Sequence, residues 1–241
     1  MAQSYFTWNG KDCRSMGVTL RGPAPIVRAE ERVRHVEIPG RSGDLTETEG
    51  EHIYNSYIQT VSISVQGGFR VREVFRWLRG EGYVTFSAEP DRKQKARIIG
   101  AVTLNRISRN MDRWAGEVQF YCQPYKEKMQ PEKVTLTASG TAVNNTGDVE
   151  AFPMVRAAVS GSGTGKTVTV SDGVNTLTVT GQTGGTNIWI DCSTMEVWKG
   201  DMSATITEKS SGSFPVLHPG SNTVTFSGAG SLEIEKRERF L

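Results

Sequence analysis

Only one segment of this sequence, Phe69–Arg79, carries apolar residues at helical spacing; the other periodic runs alternate with period two. In that segment Val71, Val74, Phe75 and Leu78 fall at i, i+3, i+4 and i+7 and make one apolar stripe, with Arg72, Arg76 and Arg79 pointing away. Gly80 follows where a left-handed residue closes a helix, and Trp77 is assigned a packing or interface role. A chain with one helix and many short alternating runs can hide its apolar side chains only by laying sheets against each other or against that helix. The expected class is therefore mainly β.

The alternation changes character near residue 130. Residues 1–130 hold 20 Lys+Arg against 15 Asp+Glu, and the remainder 8 against 11. The second part is dense in Gly, Ser and Thr, as short strands joined by many turns are. Two domains are expected, 1–128 and 129–241, with a linker over Lys126–Pro131. In the first, Ser4–Trp8 reads as a strand ending in an Asn9-Gly10 hairpin turn. Ile26–Ile38 reads as a long, partly exposed strand stopped by Pro39-Gly-Arg-Ser-Gly43, with Asp44–Gly50 an acidic connection. Tyr57–Val65 alternates cleanly, Tyr83–Ser87 and Ala96–Ile99 form a hairpin, and Ala101–Leu104 and Gly116–Cys122 complete the domain. Gln123-Pro-Tyr125 is expected to end the last strand, because proline cannot donate to a ladder. Eight short strands come after it, over Val134–Thr137, Met154–Val159, Thr167–Val170, Thr176–Thr180, Asn187–Asp191, Glu196–Trp198, Asn222–Phe226 and Ser231–Glu235, the pattern of a sandwich of two antiparallel sheets.

Enzyme signatures are weak. Gly161-Ser-Gly-Thr-Gly-Lys-Thr167 approaches a phosphate loop but is one residue short, with Ser160 where the first glycine belongs. It also runs into alternating Thr167–Thr180 with an Asp172-Gly173 turn, a hairpin where a phosphate site needs a helix N-terminus. It reads as an inter-strand loop. Cys13, Cys122 and Cys192 are scattered, which suggests free thiols in a protein made in a reducing compartment. His35, His52 and His218 have no ligand spacing, the acidic run Asp44–Glu51 departs from the calcium-loop template, and Glu47 and Glu49 show no sign of burial. No cofactor and no metal are expected. No apolar run reaches membrane-span length, and the N-terminus lacks an export signal pattern. Acids interleave with the arginines of the first part, as in Glu30-Glu-Arg32, which favours protein interfaces over sequence-specific nucleic-acid binding. Trp189 and Trp198 either stack on sugar rings or fill the sandwich core, and the core is the preferred reading.

Several segments, in order, resemble the distal tail proteins (Dit) of long-tailed siphophages and prophages: Phe6-Thr-Trp-Asn-Gly-Lys-Asp12 with Met16-Gly17, Arg28–Val36, Pro39-Gly-Arg-Ser-Gly-Asp-Leu45, Phe120-Tyr-Cys-Gln-Pro-Tyr125 and Leu217-His-Pro-Gly-Ser-Asn222. The resemblance implies an N-terminal β-rich domain with one α-helix and a projecting β-hairpin or arm, and a C-terminal galectin-like β-sandwich. It further implies a non-enzymatic subunit of the virion tail, made in the bacterial host cytoplasm. Such a subunit forms a hexameric ring that joins the tail tube protein to tip or baseplate proteins and lets DNA pass through its lumen. In that picture the Arg28–Leu45 arm meets a neighbouring copy, with Arg28, Arg32, Arg34, Val36, Ile38 and Arg41 as candidate interface residues. Edge pairing with another copy suits a charged, extended segment with unpaired backbone groups. The alternative is a carbohydrate-binding module for host-surface glycans, with Trp189 or Trp198 as platform.

Overall fold

The computed structural model describes residues 4–48, 50, 53–108 and 111–241, which fall into two compact units, Met1–Met129 with Leu241 and Gln130–Phe240. The mainly β class holds. In the first unit β1 (Phe6–Trp8) turns through Asn9 and Gly10, both at positive φ, into β2 (Lys11–Asp12). A 3-10 turn, Cys13–Met16, leads to β3 (Val18–Leu20), followed by β4 (Val33–Val36), β5 (Leu45–Thr48) and β6 (Tyr57–Gln66). Helix α1 (Gly68–Trp77) precedes β7 (Glu81–Phe86), β8 (Arg92–Ser108) and β9 (Met111–Lys128). The main sheet has the order β2-β1-β7-β8-β9-β6-β3, with these neighbours antiparallel.

Alternation along β6 buries Val61, Ile63 and Val65 on one face, and α1 covers that face with Val74 and Leu78. Phe75, also part of the expected stripe, stays 40% exposed. Trp77 packs: its ring stacks on Phe6 at 5.6 Å and its Nε1 donates to the Trp8 carbonyl. Phe120 sits in the middle of this core, edge-on to Phe6 and Phe86 and tilted against Trp8.

Two expectations fail in β8 and β9. The predicted stop at Pro124 does not occur, and β9 continues to Lys128. Register passes from Gln94↔Lys126 to Ala96↔Cys122, so residues 123–125 oppose Lys95 alone in a bulge. On the other side β9 pairs β6 as far as Tyr57↔Cys122. The segment read as a linker is therefore in part strand: Lys126 is buried and bonds Glu89 at 2.7 Å.

The second unit is a sandwich. Its strands are β10 (Lys133–Leu136), β11 (Thr141–Asn145), β12 (Met154–Val159), β13 (Lys166–Ser171), β14 (Thr176–Gln182), β15 (Asn187–Asp191), β16 (Glu196–Lys199), β17 (Ser210–Gly212), β18 (Gly220–Ser227) and β19 (Ala229–Glu235). They form two five-stranded antiparallel sheets, β10-β19-β12-β15-β16 and β11-β18-β13-β14-β17. Inward residues such as Val155, Val170, Val179, Ile190, Leu232 and Ile234 fill the space between them. Periodicity gave no sign of β11 and β17, because Thr-Ala-Val-Asn-Asn and Ser-Ser-Gly carry too few apolar residues for it to register. The Gly161–Lys166 loop runs into β13, with Gly161, Gly163 and Gly165 at positive φ. A strand stands where a phosphate site would need a helix.

Candidate functional site

The arm is a hairpin of its own. β4 pairs β5 antiparallel, with Val33↔Thr48, Arg34↔Glu47, His35↔Thr46 and Val36↔Leu45, and among the described residues this two-stranded sheet joins no other. The acidic segment read as a connection therefore supplies the return strand. Thr46 and Thr48 give it β propensity, and Gly40 and Gly43, at φ 83° and 80°, allow the turn that brings it back. The Arg41 amide donates to the Ile38 carbonyl across that turn.

At the base, a bridge between Glu31 and Tyr54 closes the arm, the Arg32 amide donates to the Ile53 carbonyl, and Arg32 Nε donates to Asn55 Oδ1 at 3.0 Å. Behind it Gln59 Nε2 holds the Pro25 carbonyl at 2.8 Å, and the Tyr54 ring meets Tyr125 edge-on. Tyr57, whose hydroxyl hydrogen-bonds Gln94, is pushed up to about 12 by burial, so this clamp stays neutral.

Of the six arm residues singled out from the sequence, Arg34 and Val36 lie in β4, Arg32 at the base, Ile38 and Arg41 around the turn, and Arg28 in the extended segment before the arm. Arg34 faces Glu47 across the ladder. Ile38, Leu45 and Ile53 are each more than a third exposed, although large aliphatic side chains are usually inside. Of the acidic run, Glu49 and Glu51 lie outside the described residues, as does His52.

A second feature gave no sign in the sequence. Arg14 from the 3-10 turn, Arg70 from α1 and Arg113 from β9 converge on an open groove beside β3, with Gly17, Thr19, Ser64 and Asp112 also lining it. Asp112 is already engaged: it accepts from the Gly68 amide at 2.8 Å and from Trp114 Nε1, which together hold its carboxyl below the usual range. Arg14 shares both oxygens of Asp12 at 3.0 Å. The three arginines lie 99 positions apart from first to last, so no local motif could announce the groove.

In the sandwich, Trp189 and Trp198 face each other directly across β15 and β16. They do not fill the core. Ile188, Ile190 and Val197 take the inward positions, and period two sends the tryptophans to the outer face, where both are half-buried. Arg156 lies over the Trp189 ring at 5.6 Å and Trp189 Nε1 donates to the Gly200 carbonyl. The cysteines are all buried; burial pushes the thiols of Cys122 and Cys192 up to about 12 and raises that of Cys13, which makes them poor nucleophiles. Among the described residues, no three His, Cys, Asp or Glu side chains converge as a metal site would require.

Residues 146–240 match the family model of the siphovirus-type tail component, C-terminal domain. The chain superimposes over its full length, and the full length of the other, on the crystal structure of the SPP1 Dit protein, with a TM-score of 0.79 and 20% identity. The whole chain has the Dit fold. The SPP1 Dit protein is described as a paradigm of hub adsorption apparatus in Gram-positive infecting phages. Chains in structures of the phage P2 baseplate in its activated conformation share the fold less closely. The form with calcium gives a TM-score of 0.53 at 11% identity, covering 99% of each chain; the form with strontium gives 0.51 at 10%, covering 98% of each. No curated protein matches the chain by sequence. The resemblance read from scattered segments thus agrees with the family model over residues 146–240 and with the fold over the whole chain.

Proposed function

We propose that this Dit-type tail component is a structural hub subunit, without enzymatic activity, that closes into a ring of copies, six by family resemblance. The ring joins the tail tube to the tip or baseplate in the virion tail and leaves a lumen for DNA. One observation carries the reading. Among the described residues, the β4–β5 hairpin stands as a separate two-stranded sheet with both outer edges unpaired and with Ile38 and Leu45 exposed on it, and a lone hairpin of that kind is marginal in water. A neighbouring copy satisfies those groups, and a head-to-tail contact that closes by rotation makes a ring.

Light scattering across a concentration series, with negative-stain imaging, tests this. Ring-shaped particles of defined mass are expected, and removal of the arm between Glu31 and Tyr54 leaves folded monomers. Rings that persist unchanged without the arm would refute its role.

A second reading rests on the outward Trp189–Trp198 pair: the sandwich carries an aromatic strip suited to a sugar ring or to another tail protein. On a glycan array, binding that disappears in Trp198→Ala favours the sugar; an empty array removes it.

A further inference from the structure

Helix α1 carries a face that the fold leaves without a partner. Its inward residues Val74 and Leu78 pack into the core of the first unit, and Arg70 lies back over Gly17. On the outward side Arg72, Phe75 and Arg76 follow one another at i, i+3 and i+4, and Arg79 comes directly after the C-cap Leu78. All four are exposed, Phe75 by 40%. Among the described residues, the side chains of Arg72, Arg76 and Arg79 make no ion pair and no hydrogen bond.

Neighbouring acids do not offset this charge. Asp112 sits at the helix N-terminus, where it accepts from the Gly68 amide and Trp114 Nε1, and Glu81, just beyond the helix, pairs with Lys95 at 3.0 Å. Glu73, the single acid of the helix, lies on the flank of the stripe away from Phe75 and forms no ion pair among the described residues.

Two features separate this face from a merely solvated one. Opposite charges at i, i+4 support a helix that only meets water, whereas Arg72 and Arg76 put like charges at that spacing, which weakens it. The negative helix C-terminus favours cations in the last turn, and so accounts for Arg76 but not for Arg72 in the middle. Between Lys11 and Lys93, moreover, the chain uses arginine and no lysine. Arginine is the more weakly hydrated cation and its planar fork matches a carboxylate; it is enriched at protein interfaces, as aromatic rings are, while lysine is depleted there.

We infer that the Arg72–Phe75–Arg76–Arg79 face docks an acidic segment of another protein, with its carboxylates taken by the guanidiniums and an apolar side chain laid on Phe75. Charge complementarity commits the face to an anionic partner. The carboxylates of Asp112 at one end and Glu73 on the flank confine the positive surface to a short patch, which fits a few discrete carboxylates better than a phosphate backbone that runs on past it. The docking does not depend on ring closure, so it stands apart from the ring reading.

Fluorescence anisotropy of labelled peptides on the full chain tests it. A peptide alternating Glu with Leu binds wild type, and the same peptide with Gln in place of Glu does not. Arg72→Gln with Arg76→Gln weakens binding roughly tenfold, the effect of losing two exposed ion pairs. Phe75→Gln weakens it with no change of charge. Arg72→Glu with Arg76→Glu abolishes it and takes up a peptide alternating Lys with Leu instead, which a misfolded variant would not do. A wild-type chain that ignores the Glu-Leu peptide, or variants that bind it as wild type does, overturn the docking. A thymidine oligonucleotide or phosphatidylglycerol vesicles held more tightly than the peptide, and lost with the same substitutions, assign the face to phosphate and overturn it too. Wild-type rings that fall apart in Arg72→Gln/Arg76→Gln assign the face to a contact between copies and overturn it as well. A wild-type chain that stays monomeric yet binds the peptide refutes the ring and upholds the docking.

Discussion

Lys236 in the sandwich is 3% exposed, and its replacement by methionine should be among the most damaging single changes in the second unit. Its ammonium donates to the Asn144 carbonyl at 2.7 Å, to Glu132 Oε2 at 2.9 Å and to Glu238 Oε1 at 3.1 Å. Glu238, 2% exposed, also accepts from the Thr146 amide and hydroxyl. Burial opposes the charged ammonium, but the bonds from Glu132 and Glu238 outweigh it and raise its pKa. The cluster ties residues flanking β10 and β19 in one sheet to β11 in the other.

Lys236→Met fills the same volume but leaves Glu238 buried beside an apolar chain. Breaking a buried pair from one side costs about 3–5 kcal/mol, and the two Thr146 bonds retained by Glu238 place it at the lower end, about 3 kcal/mol. Lys236→Met with Glu238→Gln removes the stranded charge and keeps an acceptor for Thr146, so the loss should shrink to about 1 kcal/mol. Urea unfolding followed by tryptophan fluorescence separates the two. With a slope of about 1–1.5 kcal/mol per molar for a unit of this size, the single variant's midpoint falls by roughly 2–3 M and the double variant's by under about 1 M. A single variant no less stable than the double would refute the idea that an uncompensated carboxylate, rather than lost packing, sets the cost.

Asp172 accepts from the Val174, Asn175 and Val216 amides and from Asn175 Nδ2; burial raises its pKa, but these bonds outweigh it and the net shift is downward. A lowered folded-state pKa stabilises above the ordinary carboxylate range and is lost as pH falls through the folded value, so Asp172→Asn should cost about 1–2 kcal/mol at pH 7 and progressively less below about pH 4, read from melts across pH. Phe120→Leu in the first unit removes ring contacts with Phe6, Trp8 and Phe86; at about 0.5–1 kcal/mol per pair it should lose about 2 kcal/mol by urea unfolding, and a neutral result would mean that burial alone, not ring geometry, holds that core.

Local pattern was enough for much of this molecule. The alternation in Tyr57–Val65 and Asn187–Asp191 and the stripe Val71–Val74–Leu78 placed β6, β15 and α1 almost to the residue, because a side chain's face depends only on its position along its own element. The same rule already sent Trp189 outward. Its position between inward-facing Ile188 and Ile190, not its size, sets its face. Pro124 differs: proline's cost in a strand depends on whether a neighbour needs its missing N–H, and on the β8 side residues 123–125 lie in a bulge opposite Lys95.

What the sequence determined by itself, then, was the strand content, the single helix, the charged exposed arm and, through ordered short segments, the Dit resemblance. Only the tertiary structure decided that the acidic stretch after the arm's turn is its second strand, and that Arg14, Arg70, Ser64 and Arg113 share one groove at an open sheet edge. Periodicity reports which way a side chain faces, whereas pairing partners and convergence of distant residues are set by how whole elements pack, and that information is spread over the entire chain.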